Sequence, residues 1–142
     1  MTVIRTSIKT LALTFVIGLF ATASPAVAAD GVLSVDSASL VARGAAVDVT
    51  YSLVCDADAE VFTSVRLAQR SGGGVATGIG SPSGGRVACT GEKQTITVWV
   101  LANSGPAFKR GVAAASVSQF SCLTPEEPCT ISELNEEITI TR

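Results

Sequence analysis

The chain has 142 residues, of which 47% are hydrophobic and 15% charged, and its formal net charge is −2. This length supports one domain of ordinary size rather than two. Because the sequence contains no histidine, it excludes Ser-His and Cys-His nucleophile pairs and every histidine-ligated zinc site.

The N-terminal residues have the order of a secretory signal peptide. Arg5 and Lys9 precede an apolar run from Leu11 to Phe20, and the small residues of Ala26 to Ala29 follow it. The run is shorter than the roughly 20 apolar residues that a spanning helix needs. We therefore predict that residues 1–29 are a signal peptide and that residues 30–142 form an exported domain with no membrane span. Cleavage after Ala28 fits equally well.

Removal of the predicted signal peptide makes the chain more acidic. It takes away Arg5 and Lys9 and leaves eight basic against twelve acidic residues, which is a formal net charge of −4. Nucleic-acid phosphates call for a basic surface. The composition therefore predicts that nucleic acid is not a partner.

The exported part contains all four cysteines, and an even number of cysteines in an exported chain indicates two disulfide bonds. Three pairings are open. We favour Cys55–Cys89 with Cys122–Cys129, because the second pair brackets a proline-containing turn, LTPEEP. A zinc site is disfavoured, because structural zinc uses close-set cysteine pairs that this sequence lacks. No metal and no cofactor are predicted.

Apolar and polar residues alternate along much of the exported part, as they do in strands with one buried face. Glycine-rich turns separate the segments. The alanines of 112–120 would also suit a helix, but a strand is favoured because its neighbours are strands and its flanks lack helix caps. Seven or eight short strands predict an all-β, antiparallel β-sandwich. The clearest strand segments are 47–55, 61–67, 95–101 and 138–140, and weaker candidates are 32–35, 39–42, 75–79, 85–89 and 112–120.

Four segments carry a resemblance to a group of small exported proteins from actinobacteria. They read AAVDVTYSLVC, VRLAQRSGGGVATGIG, ACTGEKQTITVWV and FKRGVAAASVSQFSC, and together they cover roughly Val47 to Cys122. The layout resembles that group in a strand ending in Cys, a strand with Gln, a Cys-x-Gly motif and an apolar-x-x-Gly motif. The resemblance implies an immunoglobulin-like sandwich and carries no activity to this chain.

Trp99 is a candidate binding residue. It shares strand parity with Thr95 and Thr97, opposite the apolar positions of the same strand. A tryptophan on this face would be either an exposed anchor for a ligand or partner, or a ring covered by a loop or a charged side chain. The covered interpretation is the favoured one.

The segment between Cys122 and Cys129 is the preferred candidate for a recognition loop. A disulfide at its base would preorganise it, and preorganised loops lose less ordering entropy on association. Thr124, Glu126 and Glu127 are its candidate binding residues.

The densest acidic run contains Asp56, Asp58 and Glu60. Carboxylates at alternate positions could coordinate calcium, but the spacing fails the EF-hand pattern, since Val61 stands where a glycine is needed. A solvated loop is therefore favoured over a calcium site.

These observations favour a secreted, non-catalytic binding or cell-envelope-associated module whose partner is an unknown protein or envelope component. No catalytic set of residues is present, and we predict that the protein is not an enzyme. The alternatives are a secreted protein inhibitor and a carrier of a small apolar ligand. The sequence leaves the oligomeric state open.

Overall fold

The structure is a computed structural model that describes residues 31–122 and 129–142. The predicted signal peptide lies outside the described residues. Helical structure in the described part is confined to two three-residue turns, Ala42–Gly44 and Ser83–Gly85, and no helix there is long and apolar enough to cross a membrane. The strands are β1 Gly31–Val41, β2 Ala46–Val54, β3 Glu60–Ser71, β4 Gly74–Gly80, β5 Arg86–Ala88, β6 Gln94–Ser104, β7 Gly111–Ser121 and β8 Thr130–Thr141.

Seven of these strands close into a β-barrel, so the predicted immunoglobulin-like antiparallel β-sandwich is wrong. The order around the ring is β4-β6-β2-β1-β8-β7-β3, and β4 closes it because it pairs with β3 as well as with β6. Strand β5 is attached to β3 beside the ring. A sequence shows how apolar and polar residues alternate within a strand, but it does not show which strands pair. The double pairing of β4 could therefore not be predicted from it.

The closure also includes one parallel pair, which the prediction of an antiparallel sheet did not contain. Strands β1 and β8 run parallel and pair only at Ala38–Ile140 and Ser39–Thr141. In the preceding half of β1, the register of its pairing with β2 shifts twice. There the backbone N–H of Val35 donates to the Glu136 carboxylate at 2.6 Å. A side chain thus supplies the acceptor where the ladder ends.

The inward-facing side chains fill the barrel. Alternate residues of β2 and β3 are fully buried, as the period-two pattern predicts. Phe108, in the loop before β7, is also 2% exposed, and its N–H donates to the carbonyl oxygen of Gly44. The largest members of the core are Tyr51, Phe108, Leu53, Leu67, Ile140 and a set of valines.

Most of the predicted strands are present, with two differences in how they are arranged. The segment 32–35 and residues 39–41 of the segment 39–42 belong to one continuous strand, β1, because bulges break its alternation without ending it, and Ala42 begins the following turn. The loop 81–85 is not a hairpin, since the strands on either side of it both pair with β3. The alanine-rich segment 112–120 is a strand, as predicted.

Both favoured disulfide bonds, Cys55–Cys89 and Cys122–Cys129, are confirmed. The first joins the end of β2 to the end of β5, with Cα atoms 5.5 Å apart. Two backbone hydrogen bonds support it, from Asp58 N–H to the Cys89 carbonyl and from Cys89 N–H to the Ala59 carbonyl. The second bridges the ends of β7 and β8, which pair with each other up to Ser121–Thr130.

We predict that the two bridges contribute unequally to stability. In the chain-entropy model, the 34-residue separation of Cys55 and Cys89 corresponds to about 4 kcal/mol. The 7-residue separation of Cys122 and Cys129 corresponds to about 2.5 kcal/mol. The test is urea denaturation of the two double serine variants. Equal losses, or a larger loss in the Cys122/Cys129 variant, would contradict the model.

A second prediction concerns ring closure. A Cβ at Gly80 would overlap the carbonyl oxygen of Trp99 on β6, which is backbone and cannot turn away. Gly80→Ala is therefore expected to lower the free energy of unfolding by about 1–3 kcal/mol. Val75→Ala, at an exposed position of the same strand, should change it by less than about 0.5 kcal/mol. Similar denaturation midpoints for the two variants would show that this contact does not limit closure.

Candidate binding groove

A groove of about 790 Å³ crosses the outer face of the barrel. Its lining comes from five consecutive strands of the ring, β6, β4, β3, β7 and β8. Each strand contributes a short stretch of no more than three residues. The groove is therefore long in the direction perpendicular to the strands and narrow in the direction parallel to them.

The strand register sets the order of side chains within the groove. Residues that pair across β3, β7 and β8 stand in rows, because paired residues point to the same face of a sheet. Two rows lie in the lining: Arg66, Ser116 and Asn135 form one, and Ala68, Ala114 and Glu137 form the next.

The groove has a small apolar floor with polar and charged groups around it. Ala68 and Ala114 pair directly, and both have small side chains that leave the centre of the groove open. Ile79 adds an exposed apolar side chain on β4. At the β6 end, the Thr77 hydroxyl donates to Asn103 Oδ1 at 3.1 Å. These groups offer hydrogen bonds and van der Waals contact, the requirements of a recognition site.

Arg66 brings a positive charge to the groove. Within residues 31–122 and 129–142, the one ion pair joins Arg86 to Glu60 at 2.9 Å, away from Arg66. Of the acidic residues in the lining, Glu136 already accepts from Val35, whereas Glu137 is exposed. The groove thus presents a guanidinium near its middle and a carboxylate at its β8 end.

A second surface feature is an apolar row near the Cys122–Cys129 bridge. Phe62, Phe120 and Ile131 pair in register across β3, β7 and β8, and all three side chains are exposed. The Arg86 guanidinium lies 5.0 Å from the centre of the Phe62 ring, within cation–π range. The row lies outside the groove lining.

Trp99 is 67% exposed, so the favoured interpretation of a covered ring is wrong. It stands on the outer face of β6 opposite Asp48 of β2. Its neighbours on the outer face of β2, Asp48 and Thr50, have short side chains. The structure does not bring Trp99 into the groove lining.

The other predicted site residues are not brought together by the described structure. Thr124, Glu126 and Glu127 lie outside the described residues. In the acidic run, Asp56 and Asp58 are exposed in a turn, while Glu60 is engaged by Arg86. No group of three Cys, Asp or Glu side chains in the described ranges is placed to hold a metal ion.

The sequence analysis missed the groove residues. Arg66, Ala114 and Glu137 all occupy outward-facing positions of strands, and residues at such positions are ordinarily interpreted as solvent-exposed surface. The sequence indicated only that these residues lie on the outward face of their strands. Which strands are neighbours could not be inferred from parity.

A polar contact on β1 has a resolved pKa effect. Asp36 accepts hydrogen bonds from the hydroxyls of Ser34 and Ser52, and these bonds hold the pKa of the Asp36 carboxyl below its usual value. Ser52 is fully buried, so Asp36 also satisfies a hydroxyl that solvent does not reach. Inside the barrel, burial raises the pKa of Tyr51, whose hydroxyl shares a hydrogen bond with that of Thr63.

The fold and site define a disulfide-bonded β-barrel with a groove on its outer face. Comparison with known proteins found no matching family model, no matching curated protein and no matching solved structure. The lining residues of the groove are therefore the basis for a functional hypothesis.

We predict that Asp36 makes stability depend on pH in acid. Because its folded pKa is lowered, its contribution is present above the unfolded value of about 4. That contribution is lost as the pH falls through the folded pKa. The melting temperatures of the wild type and Asp36→Asn should therefore differ at neutral pH and converge as the pH falls below the folded pKa of Asp36. Ser52→Ala should shrink the difference, and a gap that stays constant with pH would contradict this role.

Proposed function

We propose that this protein is a secreted, non-catalytic binding module that holds an extended peptide segment in the outer-face groove. The observation that carries the proposal is the groove of about 790 Å³ with its guanidinium, carboxylate and amide groups around a small apolar floor. Two disulfide bonds support an oxidising compartment. Kinship with exported actinobacterial proteins remains a proposal that rests on the four segments quoted above.

The dimensions of the groove favour an extended chain. Five strands at about 4.8 Å spacing give a length of roughly 19 Å. Three residues along each strand give a width of roughly 7 Å. An extended peptide rises about 3.3 Å per residue, so about six residues would fit. A sugar ligand is less well matched, because no aromatic side chain lines the groove.

The charges indicate which peptide would bind best. Arg66 stands in the middle strand of the groove and favours a carboxylate there. Glu137 stands at the β8 end and favours a basic side chain or an amino terminus. A small side chain on the peptide would face the Ala68–Ala114 floor.

A binding role is favoured over catalysis by the state of the acidic groups. The Glu136 carboxylate accepts a hydrogen bond from the backbone of β1. Of the two carboxylates in the lining, Glu137 is therefore the one left available. Paired acids are what glycoside hydrolysis requires.

The two alternative functions have less support. A carrier of a small apolar ligand would need an internal chamber, and the inward-facing positions of this barrel are occupied by packed side chains. A protein inhibitor would use the loop between Cys122 and Cys129, which lies outside the described residues.

The test is selection from a displayed library of random peptides of about seven residues, followed by calorimetry with the selected peptides. We expect them to carry an acidic residue near the middle. Arg66→Gln should weaken binding about tenfold, the size of one charged hydrogen bond. Ala114→Trp, which fills the floor, should abolish binding.

Two matched controls distinguish the groove from general charge and bulk. Arg70→Gln removes the same charge from the same face of β3 outside the lining, and Ile131→Trp adds an exposed ring on β8. Both should leave affinity within about twofold. Peptides that bind Ala114→Trp as well as the wild type, or a library that yields no binders, would overturn the proposal.

A further inference from the structure

The charged side chains of the barrel are separated between its two ends. The segments 41–45, 70–75, 104–112 and 139–142 lie together at one end, because the strands that flank them pair with one another up to this point. We call this surface the basic end. It has no acidic side chain, and its five basic residues are Arg43, Arg70, Lys109, Arg110 and Arg142.

The opposite end of the barrel has the reverse balance of charge. Its described segments 55–60 and 81–93 contain four acidic against two basic residues. An uneven distribution of charge orients a protein as it approaches a charged surface. The basic end would therefore turn toward an anionic surface, although the exported part is acidic overall.

The cations of the basic end are available to a partner. Arg43, Arg70, Lys109 and Arg110 are all exposed, and none of them lines the groove. Among residues 31–122 and 129–142, the single ion pair joins Arg86 to Glu60 at the opposite end. A partner therefore meets these four charges without first breaking an internal ion pair.

The buried side chain of Gln69 fixes the loop that carries two of these cations. Its Oε1 accepts from the Lys109 N–H, and its Nε2 donates to the Lys109 carbonyl oxygen, both at 2.8 Å. The same Nε2 donates to the carbonyl oxygen of Val112 at 3.4 Å. One amide therefore holds the backbone on both sides of Arg110. These contacts leave the Lys109 and Arg110 side chains free, and a preorganised surface loses less entropy on binding.

Arg43 occupies a backbone conformation that turns usually give to glycine or asparagine. It lies in the turn between β1 and β2 with φ at +57°. Other residues in this region strain the backbone, and such strained residues cluster at functional positions. The sequence thus places a positive charge in this turn although another residue would stabilise the turn better.

We propose that the basic end binds the surface of an anionic phospholipid bilayer, with the barrel standing on this end. The four cations lie on three separate chain segments and outside the groove. Such a spread suits an extended anionic surface better than a single small anion. This inference does not depend on peptide binding in the groove.

Exposed apolar side chains at the basic end favour a bilayer over a soluble polyanion. Val75 pairs with Arg70 in register, and Val112 lies at the same end on β7. These two valines are 52% and 57% exposed. Apolar groups beside cations match the headgroup region of a bilayer, where both contribute to binding.

Co-sedimentation with lipid vesicles tests the proposal. Residues 31–142 contain the whole barrel, so the protein without the predicted signal peptide is the form to use. Vesicles with about 30% phosphatidylglycerol should bind it at low salt, with half-maximal binding on the order of 1 mM accessible lipid. Vesicles of phosphatidylcholine alone should not bind it. Salt at about 0.5 M should release the protein, because it screens the charges.

Three single variants should each weaken binding to the anionic vesicles about fivefold, the effect of one cation near such a surface. Lys109→Gln and Arg110→Gln leave the backbone bonds to Gln69 intact. Arg43→Asn should keep or raise the melting temperature, because asparagine accepts the left-handed conformation more readily. Weaker binding by this variant would therefore not result from unfolding.

Lys93→Gln is the matched control. It removes the same charge from an exposed loop residue at the opposite end and should leave binding within about twofold. Four results would overturn the proposal: equal binding to neutral vesicles, binding that salt does not weaken, variants of the basic end that bind like Lys93→Gln, or binding of soluble polyphosphate without binding of anionic vesicles.

Discussion

The double pairing of β4 is the constraint on which the rest of the structure depends. A seven-residue strand joins β3 on one side and β6 on the other, and without it the sheet would have two open edges. Glycines make this approach feasible, since a Cβ at Gly80 would overlap the backbone of β6. Because Gly80 has no side chain, β4 can approach β6 closely enough to close the barrel.

Closure determines the groove to which we assign a binding role. The groove exists because β4 brings β6 beside β3, so that side chains from five consecutive strands share one outer face.

The weakest part of the ring is held by side chains rather than by ladder bonds. Strand β1 has two bulges and only two paired residues with β8. Glu136 accepts from the backbone N–H of Val35, and Asp36 accepts from the hydroxyls of Ser34 and Ser52. Charged side chains therefore stabilise this part of the ring, and the hydrogen bond to Val35 explains why Glu136, in the groove lining, is not free for a ligand.

The sequence by itself determined the local structure and the covalent framework. Period-two patterning predicted strands such as β2, β3 and β6, because one face of each is buried, and the short spacing of Cys122 and Cys129 favoured the correct disulfide pairing. Only the tertiary structure decided the closed barrel, the parallel β1–β8 pair, the exposure of Trp99 and the grouping of Arg66 with Ala114 and Glu137. Those features depend on which strands are neighbours. Strand order arises from contacts between distant segments, and the alternation within a strand carries no information about them.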